Sequence, residues 1–205
     1  MAQNVYIMES ANLICGDIDG NSAPGISTHL VLSELKLPTL EEATQDHTPG
    51  GAMIGIEVPS HINKLEATFN LAGWDRDVMK FIGQETQYYQ RFTAYGLIRD
   101  RRTAVALQAI AVIHGRLGRV NPTAFSKGTL MHHEYGIKTI VHYELTMQLT
   151  KGGSPEPIYY WDFFTSERRV GGEDLNADLI RLLRIPGTAI NTTAPVQQPP
   201  VTQNA

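Results

Sequence analysis

The longest regular alternation of apolar and polar residues in this chain lies between residues 137 and 150 and predicts a long β-strand. Odd-numbered positions are apolar except Thr139, and even-numbered positions are polar except Ile140. A period of two gives a strand one buried side and one solvent-facing side. At about 3.3 Å per residue the strand would run roughly 45 Å, whereas globular strands usually have about 5–6 residues. Such length favours a sheet that continues into neighbouring subunits, and therefore favours assembly over catalysis.

Further strands are predicted on both sides of this segment. Residues 64–71 show the cleanest short alternation. Residues 103–117 are apolar at nearly every position up to Ile113, as in a central strand covered on both faces. The aromatic residues 158–164 should form a hairpin with 137–150 through the turn at 151–157. Extended structure is also predicted for residues 29–37, 39–47 and 88–98.

Two short helices are predicted as well. Asp75 is the expected N-cap of the first, which ends at Gly83 and must pack against a sheet because two turns are not stable alone. The second covers residues 174–183, with Asp174 as its N-cap and Pro186-Gly187 after its end. Their apolar stripes comprise Val78, Met79, Phe81 and Ile82 in the first helix and Leu175, Leu179, Leu182 and Leu183 in the second.

Length and composition predict one domain with a tail. The 205 residues are 42% hydrophobic, enough for one core over 1–187, whereas residues 188–205 are rich in Pro, Thr and Gln and should be disordered. A net charge of −4 argues against a protein that grips nucleic acid through its whole surface. Neither an apolar run of roughly 20 residues nor a signal peptide is present, so we expect a soluble protein made in a cytoplasm.

Candidate catalytic and metal-binding residues form no recognisable constellation. Cys15 is the single cysteine and is expected to be a small buried thiol. His132, His133 and Glu134 are adjacent, so their side chains alternate between the two sides of an extended chain, and no third ligand follows at a recognised spacing. The sequence has no phosphate loop, nucleophile elbow or paired cysteine. It therefore predicts no enzyme, no metal and no cofactor.

Several short motifs follow one another in a definite order: Gly20, Leu37-Pro38, Pro49-Gly50-Gly51-Ala52-Met53, Lys64-Leu65-Glu66-Ala67-Thr68-Phe69, Gly73-Trp74-Asp75, Gly115-Arg116, Lys127-Gly128, Tyr143-Glu144-Leu145, Asp162, Asp174-Leu175 and Arg181-Leu182-Leu183-Arg184-Ile185-Pro186-Gly187. No single motif is specific, but their order and spacing resemble the major tail tube protein of contractile-tailed bacteriophages, which is similar to the tube proteins of R-type pyocins. The chain departs from the family pattern in the Ile-Pro-Gly that ends its last helix and in the residues after it.

The resemblance implies a mainly β fold of two antiparallel sheets packed as a sandwich or partial barrel, with one or two short flanking helices. It also implies a structural virion protein whose hexameric rings stack into the inner tail tube and conduct phage DNA within a contractile sheath. The implied partners are further copies of the chain, the tail sheath protein, the baseplate and tail terminator proteins, and the tape measure protein and DNA in the lumen, with no membrane anchor.

Two candidate sites follow for such a tube. The polar side of residues 137–150 would face the lumen, since it has no cationic stripe that would hold DNA. The segment 39–53 would be completed only by neighbouring subunits, and its two adjacent glycines predict a hinge. The lumen-facing candidates are Lys138, His142, Glu144, Thr146 and Gln148, and the inter-subunit candidates are Thr39, Glu41, Gly50, Gly51 and Met53.

Two alternatives stay open on the sequence. A tube of a DNA-free contractile injection system, of the bacteriocin or secretion type, makes the same demands on the chain. A small β-sandwich hydrolase would need a pocket with a group of shifted pKa. The candidates for that group are His114, His142 and Glu144, although each is also explained as a polar-face residue.

Overall fold

The computed structural model describes residues 4–16, 25–48, 50–51, 54–83, 89–124 and 126–185. Within them the chain forms antiparallel strands and two short helices, which confirms the predicted mainly β fold. The motif residues Gly20, Pro49 and Met53, and the predicted tail over 188–205, lie outside the described residues. The strands are β1 Tyr6–Cys15, β2 Ile26–Ser27, β3 Leu32–Lys36, β4 Glu42–His47, β5 Ile56–Ile62, β6 Ala67–Leu71, β7 Gln90–Asp100, β8 Ala106–Pro122, β9 His133–Met147, β10 Glu156–Asp162, β11 Arg168–Val170 and β12 Glu173–Asp174, and the helices are α1 Arg76–Met79 and α2 Ala177–Leu183.

Strand β9 is the centre of the fold because it pairs with three other strands. Strand β8 lies along one edge of it. On its other edge, the first part of β9 pairs with β6 and the last part pairs with β10. The sheet therefore divides into two branches, one continuing through β6 to β3 and the other through β10 to β11 and β12. Strands β7, β1 and β2 follow β8 on the far side.

Strand β9 bulges where the two branches separate. Its register against β8 shifts between Lys138 and His142, so that the three residues between them stand opposite Gly115 alone. Thr139 has a φ of 50°, a left-handed conformation that β-branched residues rarely adopt. Thr139 and Ile140 are the two exceptions to the alternation in the sequence. The break in the apolar–polar alternation therefore coincides with the bulge in β9.

The core lies between the β3–β6 branch and the layer formed by β1, β7, β8 and β10. The predicted strand at 64–71 is confirmed as β6, whose side chains alternate between fully buried and half-buried. Phe69 stacks on Tyr135 of β9 with 5.0 Å between the ring centroids. Burying a large apolar side chain stabilises a fold by about 1.5–3 kcal/mol. The most deeply buried members from the other strands include Leu13, Cys15, Phe92, Ile113 and Ile137.

The long predicted strand is present but shifted along the chain. Strand β9 begins at His133 and ends at Met147, against a prediction of 137–150. Its odd-numbered face is buried at Val141, Tyr143 and Met147, as expected. The expectation of burial for Leu149 is wrong, because the strand ends before it and leaves it exposed. The aromatic strand β10 pairs with β9 as a hairpin, as predicted, but it covers Glu156–Asp162 and not residues 158–164, because Phe163 and Phe164 lie in the turn that follows it.

One helix matches its predicted start and the other does not. Asp75 caps α1, and its carboxylate accepts hydrogen bonds from the amides of Asp77 and Val78 at 2.9 and 3.1 Å. The prediction of Asp174 as the N-cap of α2 is wrong, because Asp174 pairs with Arg169 in a short strand. Helix α2 begins three residues later and buries Ile180. The predicted stripe of leucines is therefore exposed in a single chain, at Leu175, Leu179, Leu182 and Leu183.

Candidate assembly surfaces

Strands β4 and β5 form a two-stranded hairpin that pairs with no other described strand. The amide of Asn63 donates to the carbonyl of Glu41 at 2.8 Å and closes its base. Nearly all its side chains are exposed, including the apolar Ile54 and Ile56 at 79% and 59%. An isolated hairpin is marginally stable in water, and exposed apolar side chains on free strand edges invite a partner. The hairpin is therefore the strongest candidate for a contact between subunits.

The predicted inter-subunit residues gather at this hairpin. Thr39 and Glu41 are exposed at its base, and Gly50 and Gly51 are exposed in its turn. A Cβ atom added to either glycine would have no neighbour within 4 Å, so packing within the chain does not require glycine at these positions. The fifth predicted residue, Met53, lies outside the described residues. The inter-subunit role of this segment stays a prediction, and the structure adds its geometry as a free hairpin.

His142 is the centre of a polar cluster on the outer side of β9. Its Nδ1 lies 3.1 Å from Oδ2 of Asp162, and its Nε2 lies 4.0 Å from Oε2 of Glu144. The ring of His114 on β8 lies 4.6 Å from the His142 ring, and that of Tyr160 lies 5.2 Å away. The His142 side chain is only 13% exposed, because these neighbouring side chains surround its ring.

Asp162 links this cluster to the turn that follows β10. Its Oδ1 accepts hydrogen bonds from the amides of Phe164 and Thr165 at 2.9 and 3.0 Å. Burial acts to raise the pKa of Asp162, but the hydrogen bonds from Thr165, His142 and Phe164 outweigh it and hold the pKa below its ordinary value. The ionised carboxylate therefore fixes the shape of the turn.

The predicted lumen-facing residues do not form one continuous group. His142 and Glu144 lie together, and Thr146 follows them with its hydroxyl donating to the Ile110 carbonyl at 3.5 Å. Gln148 accepts a hydrogen bond from the Gln108 amide at 3.2 Å. Lys138 lies across the bulge and belongs to a separate ion cluster with Glu66, Arg119 and Glu134.

A second exposed apolar surface lies at the end of β10. Phe163 and Phe164 are 61% and 63% exposed, and their rings contact each other at 5.5 Å. Trp161 contacts Phe163 at 6.4 Å, and Tyr89 contacts Phe164 at 6.1 Å. Contiguous exposed aromatic side chains usually mark interaction sites. The exposed leucines of α2 form a third such surface.

Two residues with potential catalytic or metal-binding chemistry, Cys15 and His133, are fully buried. Burial raises the pKa of the Cys15 thiol to about 12, which leaves it protonated and unreactive. The fully buried His133 ring stacks on Trp74 at 4.0 Å. Among the described residues, no three His, Cys, Asp or Glu side chains lie close enough to hold a metal ion. Neither helix in the described part of the chain is long and apolar enough to cross a membrane.

Two features of these surfaces escaped the sequence interpretation. Strand β5 was not predicted, because Pro59 interrupts it and only Ile56 and Val58 show alternation. Proline is tolerated there because the outer edge of the hairpin is unpaired. The role of Asp162 was also missed, although an Asp followed three residues later by Thr165 is a signal for a turn stabilised by the Asp side chain.

Comparison with solved structures finds similar chains at 8–10% sequence identity. The sheath/tube terminator in the extended state of an extracellular contractile injection system, PVC, is 10% identical, covers 68% of this chain and 93% of its own, and has a TM-score of 0.45. A chain from the PVC sheath–tube complex in the extended state is 10% identical, covers 69% of this chain and 89% of its own length, and has a TM-score of 0.44. Hcp1 from Salmonella typhimurium is 8% identical, covers 78% of this chain and 100% of its own length, and has a TM-score of 0.44.

Comparison of the sequence itself gives one informative result. No curated protein matches the chain. The family described as phage tail tube protein FII matches residues 18–183, which is more than half of the chain. The matched region includes the β4–β5 hairpin, the central strand β9 and all of α2.

Proposed function

The chain belongs to the phage tail tube protein FII family, and we propose that six copies of it close into a ring and that such rings stack into the tube of a contractile tail. The family match shows that the chain is a structural protein of a tube.

The observation that carries the proposal is the free β4–β5 hairpin. It exposes the apolar side chains of Ile54, Ile56 and Val58 and pairs with no other described strand. Two strands without a supporting layer gain little stability alone, so a neighbouring subunit that covers them would supply the missing burial. A contact from a hairpin on one copy to a different surface on the next is heterologous, and such contacts close into rings or continue as filaments.

We further propose that the ring conducts DNA. The polar side of β9 from His142 to Gln148 would face the lumen, where it offers one carboxylate, one histidine and neutral groups to the phosphates. Six chains of net charge −4 would carry about −24 per ring, which repels DNA overall. A conduit with this charge would not hold its cargo, because cationic contacts are what bind phosphate.

The proposed partners follow from a tube inside a contractile tail. They are further copies of the chain, the tail sheath protein, the baseplate and tail terminator proteins at the two ends, and the tape measure protein and DNA in the lumen. The protein would be synthesised in the host cytoplasm and located in the virion. We propose no catalytic activity for it. A DNA-free injection tube makes the same structural demands, and electron microscopy of particles for a DNA-filled head separates the two.

The test of the proposal is self-association of the purified chain. We expect hexameric rings or hollow stacked tubes in negative-stain images, and a sedimenting species near six times 22.7 kDa. A variant in which residues 43–60 are replaced by a short glycine-rich linker keeps Ile62, which packs against the core, and should stay folded because the hairpin is a separate sheet. It should nevertheless remain monomeric. A wild-type chain that is a stable monomer at every concentration would overturn the proposal.

A further inference from the structure

An open groove of about 1070 Å³ lies beside the base of the β4–β5 hairpin. Its floor is apolar and is built from the bulge of β9 and the side of β10. Ile140, Val141 and Tyr159 are buried there, and Trp161 and Phe163 continue the surface to the rim. Phe163 is held at the rim because its amide donates to the Val141 carbonyl at 2.8 Å. The apolar surface of the groove is therefore already formed in the single chain.

The charges around this groove complement those of the hairpin. Residues 41–62 include the four acids Glu41, Glu42, Asp46 and Glu57 and no Lys or Arg. The groove is flanked by Lys64, which is exposed, and by Lys138, which lies across the groove near Glu66. An acidic hairpin with apolar side chains therefore matches this site in both charge and polarity.

The hairpin cannot fill the groove of its own chain. His61, Ile62 and Asn63, at the base of the hairpin, form one wall of the groove. At about 3.3 Å per residue, the seven residues of β5 carry Ile56 roughly 20 Å away from that wall. Ile56 would reach the groove only if β5 separated from β4. The occupant has to come from another molecule.

We propose that the groove receives the β4–β5 hairpin of a second copy of this chain, with Ile56 and Val58 seated on the aromatic floor. This inference rests on the proposed function and names the surface that each subunit offers to the next. Ile56 and Val58 project from the same side of β5, because they are two residues apart on a strand. The contact is heterologous, since hairpin and groove are different surfaces of one chain, and it can therefore propagate around a ring.

A second groove, of about 500 Å³, lies between β3 and the sheet and is a less suitable receiver. Its lining includes Glu9 and Glu34 and no Lys or Arg. The larger groove has Lys64 and Lys138 against the single carboxylate of Glu66, which pairs with Lys138 at 3.8 Å. The smaller groove has Glu34 and Glu9, of which Glu9 is paired with Arg99, and its lining offers no cation to an acidic hairpin. Electrostatics therefore distinguishes the two grooves although both are partly apolar.

The experiment uses two variants that each remove one side of the contact. Ile56→Asp places a charge on the hairpin, and Phe163→Asp places one on the rim of the groove. Both side chains are exposed in the single chain, so circular dichroism and thermal unfolding should match the wild type. We expect each variant alone to be monomeric by sedimentation. The matched control is Thr44→Asp, an exposed position on the other side of the hairpin, and it should assemble normally.

Mixing the two variants gives the decisive result. The intact hairpin of the Phe163→Asp chain can enter the intact groove of the Ile56→Asp chain, but no further subunit can add. We expect a 1:1 complex and no rings. The inference would be overturned if the Phe163→Asp chain assembled like the wild type. It would also be overturned if the mixture stayed monomeric or formed rings. Neither result would contradict the proposed tube function. A wild type that never associates would overturn both.

Should Phe163→Asp fail to fold, Lys64→Glu tests the same surface without touching the core, because Lys64 is exposed beside the groove. We expect it to raise the concentration needed for assembly about tenfold at low salt, and less at high salt, where charges are screened. Unchanged assembly at every salt concentration would contradict the proposed seat of the hairpin.

Discussion

Asp162 forms hydrogen bonds both to the polar side of the sheet and to the exposed aromatic turn, and its ionised carboxylate accepts both sets of bonds. One oxygen accepts from the turn amides and the other faces Nδ1 of His142. A carboxylate whose pKa is lowered in the folded state stabilises that state above its ordinary pKa, and the contribution is lost as the pH falls through the lowered value. The turn should therefore loosen in acid.

The substitution Asp162→Asn tests this role. At pH 6 we expect it to lower the free energy of unfolding by about 1–2 kcal/mol, because hydrogen bonds to an ionised group are replaced by weaker ones. The difference from the wild type should shrink as the pH falls below the ordinary value of 3.8, since the wild-type carboxylate then becomes protonated as well. Urea unfolding between pH 6 and pH 3 measures both quantities. A difference that does not change with pH would show that the charge of Asp162 is irrelevant.

Cys15 offers a second test at the level of one side chain. Burial raises its pKa to about 12, so at pH 8 only about one thiol in ten thousand is ionised. We expect a thiol-specific reagent to label the folded protein very slowly and the urea-unfolded protein at once. A Ser27→Cys variant, with the new thiol on an exposed position, should gain one rapidly labelled group. Rapid labelling of the folded wild type would mean that the β1 region opens readily.

At the level of elements, the bulge in β9 is what allows one strand to serve two branches of the sheet. Before the bulge β9 pairs with β6, and after it β9 pairs with β10. The conformation of Thr139 carries strain, because a left-handed backbone costs a side-chain-bearing residue about 1–2 kcal/mol and a β-branched residue adopts it least readily. This strained bulge separates the part of β9 that pairs with β6 from the part that pairs with β10.

The substitution Thr139→Asn should relieve part of that strain. Asparagine adopts the left-handed region more readily than threonine does, so we expect the free energy of unfolding to rise by about 0.5–1 kcal/mol. The control is Thr146→Asn in the same strand, where the backbone is ordinary and the threonine hydroxyl donates to the Ile110 carbonyl. That variant should be no more stable than the wild type. Equal effects of the two substitutions in urea unfolding would contradict the assignment of strain to the bulge.

How far the sequence determines each element depends on whether its pattern is local. The alternation in β6 and the Asp75 cap of α1 are local signals, and both predictions are confirmed. The start of α2 was misplaced although its signal is local: Asp174 pairs with Arg169 across the two-residue Gly171-Gly172 turn, and such a glycine pair with positive φ is typical of a tight hairpin. The separation of Lys138 from His142 has no such signal, because a bulge changes which residues share a face. Periodicity alone cannot place these two residues.

At the level of the whole molecule, the predicted resemblance to tail tube proteins is confirmed by the family match over residues 18–183. Several apolar surfaces are exposed in the single chain, on the hairpin, the β10 turn and α2. A lone soluble domain rarely exposes several such surfaces, whereas a subunit with neighbours around and above it requires them. The exposed surfaces and the family match therefore both support a subunit that assembles with neighbouring copies.

The charge of the lumen gives the final prediction. If the side of β9 that carries Glu144 and Thr146 lines the channel, changing both residues to Lys would add about twelve cations to each ring of six and create a phosphate-binding stripe. We expect tubes to assemble normally but DNA release to slow, most strongly at low salt, because the salt dependence of phosphate binding grows with the number of contacts. The control places the same two lysines at Thr123 and Glu173, which are exposed and lie outside the proposed lumen and outside the hairpin. Release kinetics that are identical for wild type and lumen variant at every salt concentration would place this face of β9 away from the DNA.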